Sequence, residues 1–407
     1  MNRLLFRARN LAGVCLLLLL VAPRSGRAGT VDTDPLNRAP EVRHAFQLFY
    51  EMDYDAALPL FERIQREHPD DPIATDYLLD AILFRELNRL DLLDTTFYAN
   101  DGFLSGKHTV VEDPQIRDRI KALADQATSQ ASDQLKNNSR DINALFARGW
   151  AHSLQAVYLA MVQRSFGAGL HQAFAAHGDC DRVLQLDPRY SDAKLVAGVY
   201  QYVVGALPFA FKILIGVAGI HGSKSQGMAL LRDDAENGVI TRVEAQTSMM
   251  LFLRREGKYG QAAEIARNLA EEYPRDYLFK LEEANLQKDG GQGMEAVETY
   301  QQLIDRARRT GYYKAAHLEL AYFGLGESLR GQKEYGRAAQ AYLSGAFQPS
   351  TSPELKRRCL LRAGETYDLM QQHSKAVEQY QAVMSAGSDT VQGELARRYM
   401  RSAYTGN

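Results

Sequence analysis

The chain has 407 residues, of which 45% are apolar and 24% charged, with a formal net charge of −2. That composition belongs to a folded soluble protein and excludes the disordered and fibrous classes. The length exceeds one ordinary globular core, so several domains or a solenoid is expected, and no basic block points to nucleic acid.

The first residues read as a leader rather than as fold. Arg3, Arg7 and Arg9 form a basic lead, Leu11–Ala22 is almost wholly apolar, and Gly26 and Ala28 sit at −3 and −1 of a cleavage point. This order predicts a secretory signal peptide over 1–28. The apolar run of 12 residues is short of the roughly 20 that a permanent spanning helix needs, so cleavage is expected over an uncleaved anchor. Around Cys15, Val14 fills a small-residue site and more leucines follow, which makes a poor lipoprotein box. The leader carries five arginines and no acid, so its removal leaves the chain five charges more negative. Export also leaves two thiols, Cys180 and Cys359, which do not make a disulfide framework. Each falls in a helical apolar pattern and reads as a small buried hydrophobe. The expected compartment is a bacterial periplasm or the inner face of an outer membrane.

Beyond the leader, one helical pattern recurs. Tyr54, Ala57, Phe61, Ile64 and Pro69 open it, and Ala176, Cys180, Val183 and Pro188 repeat it. Ala262, Ala266, Leu269 and Pro274 return 34 residues later as Ala296, Tyr300 and Leu303, with Arg308 in the proline's place. Ala338, Tyr342 and Gly345 follow, then Ala376, Tyr380 and Val383. A period near 34 signals stacked helical hairpins rather than one closed core. Small residues let two antiparallel helices approach closely, large apolar ones fill the joint with the next hairpin, and a terminal proline sets the turn. One hairpin cannot bury its own apolar face, so neighbours must stack. The spacing stretches to 42 before Ala338 and to 38 before Ala376, which predicts longer helices or loops near 306–311 and 348–353.

Tyr322-x-x-Leu325-Gly326-x-x-Leu329 followed by Tyr335-x-x-Ala338, with Ala363-Gly364-x-x-Tyr367 next, resembles the tetratricopeptide repeat family. The resemblance implies an all-α fold, a tetratricopeptide-type helical-hairpin solenoid of seven to nine hairpins in a right-handed superhelix. It divides the chain into N-terminal repeats over 38–140, an elongated repeat over 141–240, a regular array over 243–386 and a capping helix over 388–407. Within these, 99–113 breaks the helical period and reads as a loop, while 141–175 runs longer than a standard first helix.

The segment 195–222 is nearly all apolar, with Lys212 its one charge. Its length suits a bilayer crossing as one helix, but Pro208 splits it, and Gly198, Gly205, Gly216 and Gly219 favour close helix packing. The preferred reading is a buried hairpin inserted between the two helices of a repeat, with 225–235 supplying the second of these. Lipid contact is the alternative, and a ligand pocket the third reading. The order of Gly216-x-x-Gly219 and Gly227-x-x-x-Leu231 is similar to the tetratricopeptide repeat protein 39 family around 195–240, which implies a non-enzymatic repeat protein with an internal apolar insert.

Catalytic and cofactor signals do not survive inspection. His177 and Cys180 share a helical face, with His171 and Asp181 near, yet Cys180 points into the stack and no fourth ligand is near, so no metal is expected. The stretch Gly102 to His108 has three residues between its glycines where a phosphate loop needs four. No nucleophile elbow or His-Glu-x-x-His helix occurs. Carboxylates such as Asp53, Asp70 and Glu271 read as solvated charge, and buried carboxylates converging on a cleft would favour an enzyme.

The family's geometry implies a concave binding face from four positions of each first helix. These supply Arg254; Leu281, Asn285 and Lys288; Phe323, Glu327 and Arg330; Arg358 and Glu365. Leu281 stands where the family's clamp for a C-terminal carboxylate has lysine, which argues against chaperone-tail binding. A mixed apolar and charged groove suits an extended or helical peptide. The expected function is a non-catalytic protein–protein scaffold without a cofactor, with a membrane-associated factor as the alternative.

Overall fold

The structure is a computed structural model that describes residues 33–99, 111–206, 221–314 and 316–406. The leader over 1–28, most of the 99–113 loop, and 207–220 of the apolar segment lie outside the described residues. Among the described residues there are only helices and their connections. They pair along the chain as α1 (Pro40–Tyr50) with α2 (Tyr54–Glu67), α3 (Pro72–Arg89) with α4 (Pro114–Asn137), and α5 (Ile142–Met161) with α6 (Phe166–Leu186). Next come α7 (Ala193–Ala206) with α8 (Lys224–Asn237), α9 (Arg242–Arg255) with α10 (Tyr259–Glu272), and α11 (Tyr277–Asp289) with α12 (Gly293–Ala307). Last are α13 (Leu318–Gly331) with α14 (Tyr335–Ala346), α15 (Pro353–Leu369) with α16 (His373–Gly387), and the closing α17 (Val391–Arg401). Each helix packs on the next, and the first helices of successive hairpins touch at α7–α9, α11–α13 and α13–α15.

Local chemistry sets these boundaries. Asp71, Asp113 and Ser352 each accept a backbone N–H of the turn they open, and each is followed by proline at the first helical position. Asp141 and Asp276 cap α5 and α11 in the same way. Inside the hairpins one turn recurs. Met52, Gly257, Gly291, Lys333 and Gln371 all have positive φ, between 58° and 81°. The N–H after each reaches back to the last turn of the helix, as from Lys258 to the Leu253 carbonyl at 2.9 Å and from Glu334 to Leu329 at 2.9 Å. This left-handed exit satisfies carbonyls that a helix end leaves orphaned.

The recurring residues form the joints. Ala57, Phe61, Ala176, Cys180, Ala262, Ala266, Ala296, Tyr300, Ala338, Tyr342, Ala376 and Tyr380 are all fully buried. The small positions are needed for contact: a Cβ on Gly324 would stand 2.4 Å from the Tyr300 ring, and one on Gly326 2.6 Å from the Tyr342 ring. Cys180 and Cys359 are buried and unbridged, and burial pushes the Cys359 thiol up to about 12.

Two expectations change. The long helix expected over 141–175 is two helices of 20 and 21 residues, parted by a turn at 162–165 in which Arg164 has φ 56°. The described part of the apolar segment is an ordinary first helix: α7 packs along α8, and a Cβ on Gly227 would stand 2.6 Å from the Gly198 carbonyl oxygen. Among the described residues no helix is long and apolar enough to cross a membrane.

The array does not stay open along its whole inner side. Thr33 and Asn37, at the start of the described chain, both donate to Asp192 Oδ2, Asn37 at 3.3 Å. The other oxygen of Asp192 accepts from the backbone of Val239 at 2.7 Å and of Ile240 at 3.1 Å, just before α9. Tyr50 donates to Glu244 of α9 at 2.7 Å, and Tyr277 of α11 to Asn88 at 3.1 Å. The first hairpins therefore fold into the curve made by the first helices of the fifth to seventh.

Candidate functional site

Along α9 and α11, the face expected to bind a partner is already occupied by the chain itself. The 3-10 turn Thr95–Tyr98 lies against it. Arg254 Nη1 donates to Thr95 Oγ1 at 2.8 Å and to Glu282 Oε2 at 2.9 Å, and its Nη2 pairs with Asp289 at 2.5 Å. Thr95 in turn donates both its N–H and its hydroxyl to Glu282. Arg254 is consequently 2% exposed and Leu281 1%. Asn285 is buried and accepts from the Tyr300 hydroxyl at 2.5 Å. Lys288 remains half-buried and pairs with Asp289. Three of the four expected contacts on these two helices are thus structural: residues 90–98 cover Arg254 and Glu282, and Asn285 is held by Tyr300 of its own hairpin.

The same fold-back makes a His–carboxylate latch. His317, just before α13, places Nδ1 2.7 Å from Asp91 Oδ1 and 2.8 Å from Glu319 Oε1. Burial disfavours the imidazolium, but the two carboxylates outweigh it and raise the His317 pKa to about 9. Among the described residues this is the one set of three whose ligand atoms come within 4.8 Å of one another. The histidines and cysteine weighed earlier do not converge: His177 stacks on the Tyr200 ring at 3.6 Å, and Cys180 is sealed in the core.

Along α13 and α15 the inner side is open. Five of the nine expected residues meet there. Arg358 is exposed and lies over the half-buried Phe323 ring, 4.7 Å from its centroid. Arg362 joins Glu327 at 3.2 Å to Glu365 at 2.8 Å, and Arg330 bonds the same Glu365 oxygen at 3.0 Å. Glu365 itself is buried and holds the two guanidiniums in place. Tyr404, after α17, closes the lower edge by accepting from Arg330 at 2.9 Å while its N–H donates to Asp368 at 2.8 Å. Sequence reasoning missed Arg362 and Tyr404; Arg362 falls three residues before Glu365 on the same helix and was findable by that spacing.

Deeper in the molecule lies a feature the sequence reading did not place. Glu244, Asp276 and Glu282 line one cavity of about 190 Å³, and burial raises each of the three to about 7. Nearby, Asp76 and Asp80 of α3 are fully buried, and none of their carboxylate oxygens accepts a hydrogen bond. Burial drives both pKa values well above the usual carboxylate range, with each other's charge adding at Asp76 and that of Glu244 at Asp80.

Alternating hairpins with fully buried small and tyrosine positions at each joint define the architecture. The chain folds as a tetratricopeptide-type helical-hairpin solenoid. Neither the family models nor the curated proteins give a match, so the resemblance of 195–240 to the tetratricopeptide repeat protein 39 family stands on its quoted residues alone. Solved structures do match. The APC/C hetero-tetramer Cut9–Hcn1 aligns over 90% of this chain and 57% of its own, at TM-score 0.47 and 12% identity. Yeast Tom70 aligns over 89% of this chain and 87% of its own, at 0.38 and 9%. A tetratricopeptide repeat protein from Parabacteroides merdae aligns over 79% and 97%, at 0.33 and 14%.

Proposed function

We propose that the protein is an exported, non-catalytic scaffold of a bacterial cell envelope that seats a peptide or protein partner on the inner side of α13 and α15. One observation carries this reading: the exposed Arg358 stacked on Phe323, beside a fixed array of Glu327, Arg362 and Arg330. An apolar ring flanked by both signs of charge suits an extended or helical peptide, and a surface whose side chains are already held contributes affinity with little ordering cost. The three acids of the 190 Å³ cavity support a binding role over catalysis because they are engaged within the fold. Glu282 holds Arg254 and Thr95, Asp276 caps α11, and Glu244 accepts from Tyr50. The basic lead, short apolar run and small residues over 1–28 support export.

Cross-linked pull-down from an envelope fraction tests the partner surface. Arg358→Glu combined with Phe323→Ala is expected to lose the proteins captured by the wild type, and retention of the same set would overturn the assignment of this face. Fractionation tests the location, with a mature N-terminus at Gly29 expected and a cytoplasmic full-length chain as the contrary result.

A further inference from the structure

The 190 Å³ cavity adjoins a larger one of about 350 Å³, and Phe84, Glu244 and Ser248 belong to the walls of both. The two differ in chemistry. In the smaller, the rings of Phe49, Tyr50, Tyr54, Phe84 and Phe279 surround the carboxylates of Glu244, Asp276 and Glu282. In the larger, Trp150, Leu154, Val157, Leu195 and Val199 make an apolar wall in which, among the described residues, Glu244 is the sole charged one. Leu170 and Val203 line the larger cavity and are also exposed, which marks its mouth. Among the described residues no lysine, arginine or histidine lines either space.

Aromatic faces and carboxylates attract the same kind of guest, a cation whose charge is spread over an organic group. An anion would meet three acids, of which Glu282 is already paired with Arg254, and a neutral apolar molecule would offer Glu244 and Asp276 no opposite charge. Behind the wall both oxygens of the buried Asp80 accept no hydrogen bond, and the charge of Glu244 adds to burial in raising its pKa. Sites of this size with a few convergent polar groups in an apolar lining are the usual form of a small-molecule pocket.

We infer that the paired cavities bind an amphiphilic organic cation, with its ammonium group among the rings and carboxylates of the smaller space and its hydrocarbon body in the larger. This site lies apart from the α13–α15 face, and neither reading depends on the other.

Trp150 is the only tryptophan in the chain and lines the larger cavity, so the unmodified protein reports on its own site. Titration with octylammonium is expected to change Trp150 emission saturably. Octanol should bind at least tenfold more weakly and octanoate not at all. Equal affinity for the three probes, or no saturable change with octylammonium, would overturn the inference. Glu244→Gln should remove the preference for octylammonium over octanol while the circular dichroism spectrum stays helical. Because that substitution also touches Tyr50, Ser248→Phe serves as a second variant: it fills the junction without altering charge and should abolish octylammonium binding. A preference that survives in both folded variants would place the cation elsewhere.

Discussion

The inner side of α9–α11 and that of α13–α15 are built from the same repeat positions, yet the first is sealed and the second is only partly covered. At α9–α11 the guanidinium of Arg254 is sealed between Glu282, Asp289 and Thr95. At α13–α15 the equivalent Arg330 is half-buried between Glu365 and Tyr404, while Arg358, at an earlier position, stands exposed over Phe323. What separates them is neither the helices nor their spacing but whether another part of the chain reaches them. A repeat position is therefore a location on a helix, and its role is decided by what comes to lie against it. Four measurements can break or sharpen that contrast.

The largest effect is expected for Arg254→Ala, which strands Glu282 in the core. Removing one partner of a buried ion pair costs about 3–5 kcal/mol, so the denaturant midpoint should fall sharply, and a change below about 1 kcal/mol would mean that this face is open after all. Next comes the His317 latch. Its pKa is about 9 in the folded chain against 6.5 for a free histidine, so the folded state holds the extra proton between those values. The latch contributes fully below pH 6.5 and fades as pH rises toward 9, a loss on the order of 3 kcal/mol. Glu244, Asp276 and Glu282, raised to about 7, lower stability over the more acidic window as pH climbs to about 7. His317 contributes to the decline above pH 7, and unfolding of His317→Asn followed across pH should show a shallower decline there.

A smaller effect is expected for Gly326→Ala, whose added methyl meets the Tyr342 ring at 2.6 Å. Overpacking of this kind costs about 1–3 kcal/mol, and an unchanged melting temperature would show that the ring can move aside. The smallest belongs to Arg358→Ala, where an exposed side chain should leave stability within about 0.5 kcal/mol while weakening partner capture. Loss of stability there would place Arg358 in the structural class with Arg254.

The periodic part of the architecture was legible because it is local. Ala296, Tyr300 and Leu303 recur for the same packing reason wherever a hairpin meets its neighbour, and all three are fully buried. The turns were less so: Met52, Lys333 and Gln371 adopt the left-handed exit that Gly257 and Gly291 advertise, and Val162–Ser165 parts two helices with neither glycine nor proline. The fold-back left no periodic trace at all. It rests on single polar residues, such as Thr95, Tyr50 and Asp192, whose partners lie far along the chain. Asp76 and Asp80 show the same limit, since an acid on a helix reads as solvated until the opposing elements are known.

That closure changes how the molecule comes together. Solenoids ordinarily fold from neighbour to neighbour, and their ends fray without disturbing the middle. Here hydrogen bonds join residues 155 to 194 positions apart, which raises the contact order and slows assembly. The opening hairpins leave the ribosome with their aromatic side exposed and gain their partners only after α9 and α11 have been made. The array is thereby tied into one cooperative unit, and unfolding should proceed as a single transition rather than repeat by repeat.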